Sequence, residues 1–214
     1  MLVAICDGHG MGTPDKRTPF FPDFTFMHEN EFNDAVAQLL KVNLERCGIE
    51  TLMVALGNTD VALPERVKFA NAVKPDIYVS IHANAMTGKW QEASGIETFH
   101  YPTSAKGKVL AEIIHKHLLE GTPLKDRGVK TANFYVLKYT NMPAVLVECG
   151  FMDNYKEAVL LLSGAYRKEC ANEIAKGICE YFRVDWIPEE TIASNYDKLI
   201  EELKEVVRKY EVAK

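Results

Sequence analysis

The chain has 214 residues, is 47% hydrophobic and 26% charged, and carries a formal net charge of −5, a composition typical of a globular protein with one well-packed core. No stretch concentrates Lys and Arg, which argues against a nucleic-acid-binding protein. No apolar run approaches the roughly 20 residues of a membrane span, and the N-terminus lacks the basic and apolar pattern of a signal peptide. We therefore expect a protein that accumulates in the cytoplasm.

Short apolar runs alternate with helical patterns along the chain. The predicted strands are LVAI (2–5), TLMVAL (51–56), IYVSI (77–81), GIETF (95–99), FYVL (134–137) and AVLV (144–147). The predicted helices are a stretch from about Glu29 to Arg46, PERVKFANAV and AKGKVLAEIIHKHLLEG. Apolar strands separated by helices indicate a parallel sheet that is covered on both faces. The predicted fold class is α/β: a single domain at 1–184, with a mostly parallel central sheet flanked by helices.

Residues 10–28 interrupt this alternation. They hold three prolines and four phenylalanines without a helical or strand period. A long structureless segment inside a compact domain is typical of a functional loop. The alternative is a surface loop that packs on the domain and binds no ligand.

The last segment, 185–214, is predicted to be an amphipathic C-terminal helix or linker. Its apolar side chains fall at helical spacing between Glu, Lys and Arg residues: Tyr196, Leu199, Ile200, Leu203, Val206, Val207 and Tyr210. Such a helix could pack on the domain, pair with a second copy to form a homodimer, or lead to a further domain.

Polar side chains lie at the ends of three predicted strands. His9 follows LVAI by a few residues, His82 ends IYVSIHANA, and Glu148 ends AVLVECGF. In open α/β sheets, ligands bind outside the carboxyl ends of the strands. Two histidines there suggest a metal, and a catalytic zinc takes three protein ligands and leaves a position for water. Taken singly, a histidine at a strand end is more often a structural residue.

The third ligand is sought at the start of the first long helix, in HENEFNDAVAQLL. His28, Glu29 and Glu31 all lie there, after the loop that could return them over His9. The alternative reading of either glutamate is capping, because acids favour the N-terminus of a helix. Asp7 and Asn84 are candidates to orient a ligating histidine, since such histidines usually donate their second N–H to an oxygen.

The remaining histidines and the cysteines are assigned no functional role. His115 and His117 lie two apart on a helix and are expected at the surface, and His100 could face solvent. Five cysteines without a CxxC pair indicate neither a disulfide framework nor a cysteine zinc site, so we expect buried or half-buried thiols in a reducing compartment. They are Cys6, Cys47, Cys149, Cys170 and Cys179.

Four motifs, in order, carry a family resemblance. DGHGMG, the E-x-x-x-N spacing of Glu29 and Asn33, SIHANA and AVLVECGFMDN resemble the motifs of the zinc-dependent N-acetylmuramoyl-L-alanine amidases of bacterial autolysins and phage endolysins. The resemblance extends from residue 1 to about 182. It implies that residues 1–184 are a zinc amidase catalytic domain.

The resemblance also implies roles for individual residues. His9, Glu29 and His82 would hold Zn²⁺, Glu29 being favoured over Glu31 by its spacing to the asparagine, and Glu148 would be the catalytic acid-base residue. RGVKTANFYVL resembles the segment that borders the substrate groove, so Arg127 could contact a carboxylate of the stem peptide. The implied substrate is bacterial peptidoglycan, cleaved between N-acetylmuramic acid and L-alanine.

Other functions stay open at this point. The same metal chemistry would serve a zinc peptidase that cuts within the stem peptide, and the domain could instead be a wall-binding module with a vestigial site. The absence of a signal peptide favours an endolysin of a phage or prophage, stored in the cytoplasm and acting on the cell wall after release, over a secreted autolysin.

Overall fold

A computed structural model of the protein describes residues 1–55 and 58–189. The described chain contains a six-stranded sheet with the strand order β2-β1-β3-β6-β4-β5. The strands are β1 (Leu2–Cys6), β2 (Glu50–Ala55), β3 (Ile77–Asn84), β4 (Ile96–His100), β5 (Asp126–Thr131) and β6 (Ala144–Phe151). The predicted helix at 196–210 lies outside the described residues.

Helices cover both faces of the sheet. They are α1 (Glu29–Arg46), α2 (Leu63–Val73), α3 (Ala105–Gly121), α4 (Tyr135–Tyr139), α5 (Tyr155–Leu162) and α6 (Gly164–Phe182). The larger core lies on the face covered by α1, α3 and α6, and a smaller apolar cluster lies under α2 and α4. The predicted α/β class is therefore confirmed, and no helix within the described ranges is long and apolar enough to cross a bilayer.

Strand direction places the predicted site residues at one edge of the sheet. β1, β2, β3 and β6 are mutually parallel, whereas β4 runs antiparallel to β6 and β5 runs parallel to β4. The carboxyl ends of β1, β3 and β6 therefore meet. His82 on β3 is directly opposite Glu148 on β6, so both side chains point to the same face.

One predicted strand is wrong. FYVL forms most of helix α4, and the neighbouring strand is the preceding Asp126–Thr131. A short apolar run cannot be assigned to strand or helix by periodicity alone. Here Val136 and Leu137 pack into the smaller apolar cluster from a single helical turn, and this turn forms part of the wall described below.

Two histidines, one expected at the surface and one that could face solvent, are instead buried. His115 is 5% exposed, and its ring nitrogens contact Thr98 Oγ1 at 3.0 Å and Asp126 Oδ1 at 2.9 Å. His100 is also 5% exposed and donates to the carbonyl of Tyr101. Each ring has a polar partner, which offsets the free-energy cost of burying its nitrogens. The five cysteines are buried thiols, as expected.

Candidate metal centre and active-site cleft

The loop after β1 brings His9 to the edge of the sheet by means of two glycines. Gly8 has φ +67°, and a Cβ there would lie 2.9 Å from both His82 Cε1 and the carbonyl oxygen of Ile81. A Cβ on Gly10 would collide with the backbone of Asp60. Glycine is therefore required on both sides of His9, because the left-handed turn and the close approach of other backbone exclude a side chain.

Arg66 on α2 fixes the conformation of this loop. Its guanidinium donates to the carbonyl of Gly8, to the carbonyl of Val61 at 2.6 Å and to Asp60 Oδ1 at 2.8 Å. Arg66 is only 3% exposed. One rigid donor fork thus ties the loop that carries His9 to α2.

We expect Arg66→Ala to lower the free energy of unfolding by about 1–3 kcal/mol, since it leaves a buried carbonyl without its donor. Lysine should restore only part of this loss, because an ammonium cannot reproduce the planar fork. Urea denaturation measures both, with the exposed Lys68→Ala on the same helix as control. A value for Arg66→Ala within 0.5 kcal/mol of the wild type, the usual range for surface substitutions, would contradict the assigned role.

The two glutamates at the start of α1 make different contacts: Glu31 contacts the helix terminus, and Glu29 contacts the edge of the sheet. Glu31 accepts the backbone N–H of His28 at 2.6 Å and so caps the helix. Glu29 is 1% exposed and turns toward the sheet edge, where its Oε1 lies 2.8 Å from His82 Nδ1 and accepts from Asn33 Nδ2 at 3.2 Å. The capping explanation therefore applies to Glu31 and does not account for Glu29.

Ser80 orients the ring of His82. The nitrogen that faces away from Glu29, Nε2, lies 3.0 Å from Ser80 Oγ. If a metal ion took the place of the proton between Nδ1 and Glu29, a hydroxyl that accepts the Nε2 proton would leave the Nδ1 lone pair free to bind the metal. Of the two residues predicted to orient a ligating histidine, Asn84 donates to Glu97 at 3.4 Å, and Asp7 Oδ2 is buried without a hydrogen bond to any described residue.

His9, Glu29 and His82 together form a donor set that fits a zinc ion. One ligand atom from each lies within 4.8 Å of the others, and His9 Nε2 is 3.7 Å from Glu29 Oε2. Burial lowers the pKa of His9 to about 4, so its imidazole is neutral and able to ligate at neutral pH. Burial opposes ionisation of Glu29, but the hydrogen bond with His82 and the nearby positive charges outweigh it and lower the pKa of Glu29. Two imidazoles and one carboxylate are typical of catalytic zinc sites.

Glu148 lies beside this cluster as a half-buried residue that lines the same cleft. Its Oε2 is enclosed and makes no hydrogen bond to any residue that the structure describes. Burial, and next the negative charge of Glu29, raise the pKa of Glu148 well above its usual value. A buried carboxyl group without a partner is costly, and perturbed groups in clefts are candidates for acid-base catalysis.

A cleft of about 250 Å³ opens over these residues. His9, His82 and Glu148 line it, with Leu63 of α2 and Phe134, Tyr135 and Val136 at α4 as an apolar wall. Lys16, from the long loop, also lines the cleft, and its Nζ lies 3.7 Å from Glu29 Oε2. The loop predicted to be functional therefore reaches the metal centre.

Arg127 lies apart from the other predicted site residues. It is on β5, two strands beyond β6 in the sheet, and does not line the cleft. Its Nε donates to Glu97 Oε1, and its guanidinium lies 4.9 Å from the centroid of the Phe151 ring. Lys130 Nζ also donates to Glu97, at 2.9 Å. The cluster of these side chains retains a net positive charge at the edge of the sheet.

Ser80, Arg66 and Lys16 were not found from the sequence. Ser80 carried a usable signal, because it lies two residues before His82 on the same strand and so shares its face. No sequence signal pointed to Arg66 or Lys16, since each acts through a contact that depends on the conformation of a loop.

Comparison with known proteins agrees with this geometry. The family model described as N-acetylmuramoyl-L-alanine amidase matches residues 3–180. The amidase LytC of Bacillus subtilis is 37% identical over 157 residues, which are 72% of this chain and 31% of LytC. The endolysin of Bacillus phage SPP1 is 40% identical over 125 residues, 55% of this chain and 44% of the endolysin. The chain thus spans less than half the length of either relative.

A solved structure shares the fold. The catalytic domain of CwlV, an N-acetylmuramoyl-L-alanine amidase from Bacillus (Paenibacillus) polymyxa, superposes with a TM-score of 0.76 at 32% identity, covering 86% of this chain and 99% of that domain. The match to the family model over most of the chain and the shared fold confirm the resemblance carried by the four motifs. The chain belongs to the N-acetylmuramoyl-L-alanine amidase family.

Proposed function

We propose that this chain hydrolyses the amide bond between the lactyl group of N-acetylmuramic acid and the first L-alanine of the peptidoglycan stem peptide. The observation that supports it most is the enclosed Glu148 Oε2, which makes no hydrogen bond to the described residues, beside the donor set of His9, Glu29 and His82. These are the components that metal-assisted amide hydrolysis needs: a metal site, an acid-base group and an adjoining cleft.

In the proposed mechanism, His9, Glu29 and His82 would hold zinc. A bound zinc would supply Lewis-acid chemistry, which lowers the pKa of a bound water to about 7 and polarises the scissile carbonyl. Glu148 accepts the proton of the attacking water and returns it to the departing amine of L-alanine. Ser80 keeps His82 in one tautomer, and Arg66 holds the loop of His9.

The products distinguish this reaction from other wall hydrolases. Digestion of purified peptidoglycan should release new free amines without new reducing sugar ends, and N-terminal analysis should find L-alanine. New amines on other residues would indicate a peptidase that cuts within the stem peptide. Binding to the wall with zinc present but without any cleavage would indicate a wall-binding module.

We also propose that Arg127 contacts a distal carboxylate of the substrate. Glu97 already forms an ion pair with Arg127, which weakens the attraction of the guanidinium for a second carboxylate. We therefore expect Arg127→Ala to raise KM by about two- to fivefold, the range of a solvent-exposed ion pair, and to leave kcat nearly unchanged. Steady-state kinetics on soluble peptidoglycan fragments measures both. An effect on kcat alone would contradict a binding role.

The similarity to the SPP1 endolysin supports a proposed role in phage lysis. Expression together with a protein that perforates the membrane should lyse the host, whereas either protein alone should not. Lysis by this chain alone would contradict the requirement for release.

A further inference from the structure

A second groove adjoins the active-site cleft and is built from two loops. Residues 15–18 and 85–89 line it, and its volume is about 460 Å³. The side chain of Lys16 belongs to the lining of both the groove and the cleft. A substrate bound at Glu148 can therefore extend past Lys16 into this groove.

The groove is positively charged. Lys16, Arg17 and Lys89 line it, opposed by the single carboxylate of Asp15. Lys89 is exposed and forms no ion pair with a residue inside 1–55 or 58–189. Its ammonium is therefore available to an anionic ligand.

Contacts of both loops, one to the turn after β6 and one between the residues that follow each loop, fix the walls of the groove. Asp153 Oδ2 accepts the backbone N–H groups of Met86 and Thr87 at 2.8 and 2.9 Å. Trp90 Nε1 donates to the carbonyl of Phe20 at 3.2 Å, and the Trp90 ring lies 5.4 Å from that of Phe21. The walls are thus fixed before a ligand binds, which reduces the entropy cost of binding.

The wall of the cleft at α2 and α4 has the opposite character. Leu63, Phe134, Tyr135 and Val136 are apolar or aromatic, and Phe134 is 41% exposed. On one side of the scissile bond the substrate is an uncharged acetylated sugar. On the other it is a peptide that carries carboxylates. The apolar wall at α2 and α4 therefore suits the uncharged sugar, and the positively charged groove suits the peptide with its carboxylates.

We propose that this groove is the subsite for the stem peptide, with Lys16 and Lys89 binding the α-carboxylate of the residue after L-alanine, while the sugar lies against the wall at α2 and α4. The assignment rests on the proposed amidase function. It gives the substrate one direction across the sheet edge and makes Lys89 a residue that determines specificity.

The test compares two soluble, uncross-linked glycan strands whose stem peptides differ only at the second residue, which carries either a free α-carboxylate or its amide. The wild type should have a kcat/KM about two- to fivefold higher for the acid, the strength expected of an exposed ion pair. Lys89→Gln should reduce this preference, because only Lys16 then remains, and Lys89→Glu should abolish or reverse it. The preference should weaken as salt is added, because the charges are exposed.

Lys106→Gln is the matched control. Lys106 is an exposed lysine in the first turn of α3, which follows β4. Because β4 is antiparallel to β6, Lys106 lies at the sheet edge away from Glu148. Its substitution should leave both rates unchanged.

Three results would overturn the assignment. Equal wild-type rates on the two strands would show that the carboxylate is not bound. Loss of the preference in Arg127→Ala, with Lys89→Gln unaffected, would place the peptide along β5 instead. Failure of the wild type to cleave either strand between the sugar and L-alanine would remove the amidase function itself, and the subsite with it.

Discussion

Replacing Glu148 by glutamine should lower kcat by about 10²- to 10⁴-fold, the usual contribution of general acid-base catalysis. The amide has the shape of the carboxyl group but can neither accept the proton of water nor deliver it to the amine. Because Oε2 makes no hydrogen bond to the described residues, the substitution breaks no structural contact that the structure shows. Zinc content and thermal unfolding should therefore stay near the wild-type values.

The control for Glu148→Gln is the same substitution at Glu112. This glutamate is on α3, its side chain is 53% exposed, and within the described part of the chain its ion pair is with Lys108 of its own helix. Glu112→Gln should keep wild-type kcat. A Glu148→Gln enzyme with activity close to the wild type would remove this residue from the mechanism.

His82→Ala should abolish stoichiometric zinc binding and, with it, turnover. The substitution removes one of three donors and leaves the carboxylate of Glu29 without its 2.8 Å contact. Zinc that binds only the folded wild-type protein should stabilise it by about 4 kcal/mol at a thousandfold excess over Kd. The variant should show no such stabilisation, which can be measured by thermal unfolding with and without zinc, independently of activity.

His115→Ala is the matched control for metal binding. His115 is also a buried histidine with polar partners. It contacts Thr98 and Asp126 on the other face of the sheet from His82. Its substitution should reduce stability while zinc stoichiometry and the zinc-dependent shift persist. If both variants lost the shift, the effect would be one of folding, and the metal assignment would lose its support.

That His9, His82 and Glu148 line one cleft could be predicted from the sequence because of a simple physical rule. Parallel strands bring their carboxyl ends to one edge, so polar residues that end buried strands converge there. Glu29 followed from the family motif, and the structure explains why capping is not its role: Glu31 already caps the helix.

The rest depended on long-range contacts. FYVL folded as a helical turn because its apolar side chains reach the core in either conformation, and tertiary packing decided between them. The sequence did not show that His115 and His100 are buried, because their partners are distant or belong to the backbone. His115 contacts Thr98 and Asp126, and His100 donates to a backbone carbonyl. Lys16 and Lys89 line one groove whose loops are fixed by Asp153 and Trp90, and no local pattern encodes that proximity.

Mass spectrometry of purified peptidoglycan digested by this chain, with Glu148→Gln run in parallel, tests the central claim most directly. The account predicts stem peptides with a new free N-terminal L-alanine, produced by the wild type and absent from the variant digest. Cleavage at any other bond, or equal release by the variant, would contradict it.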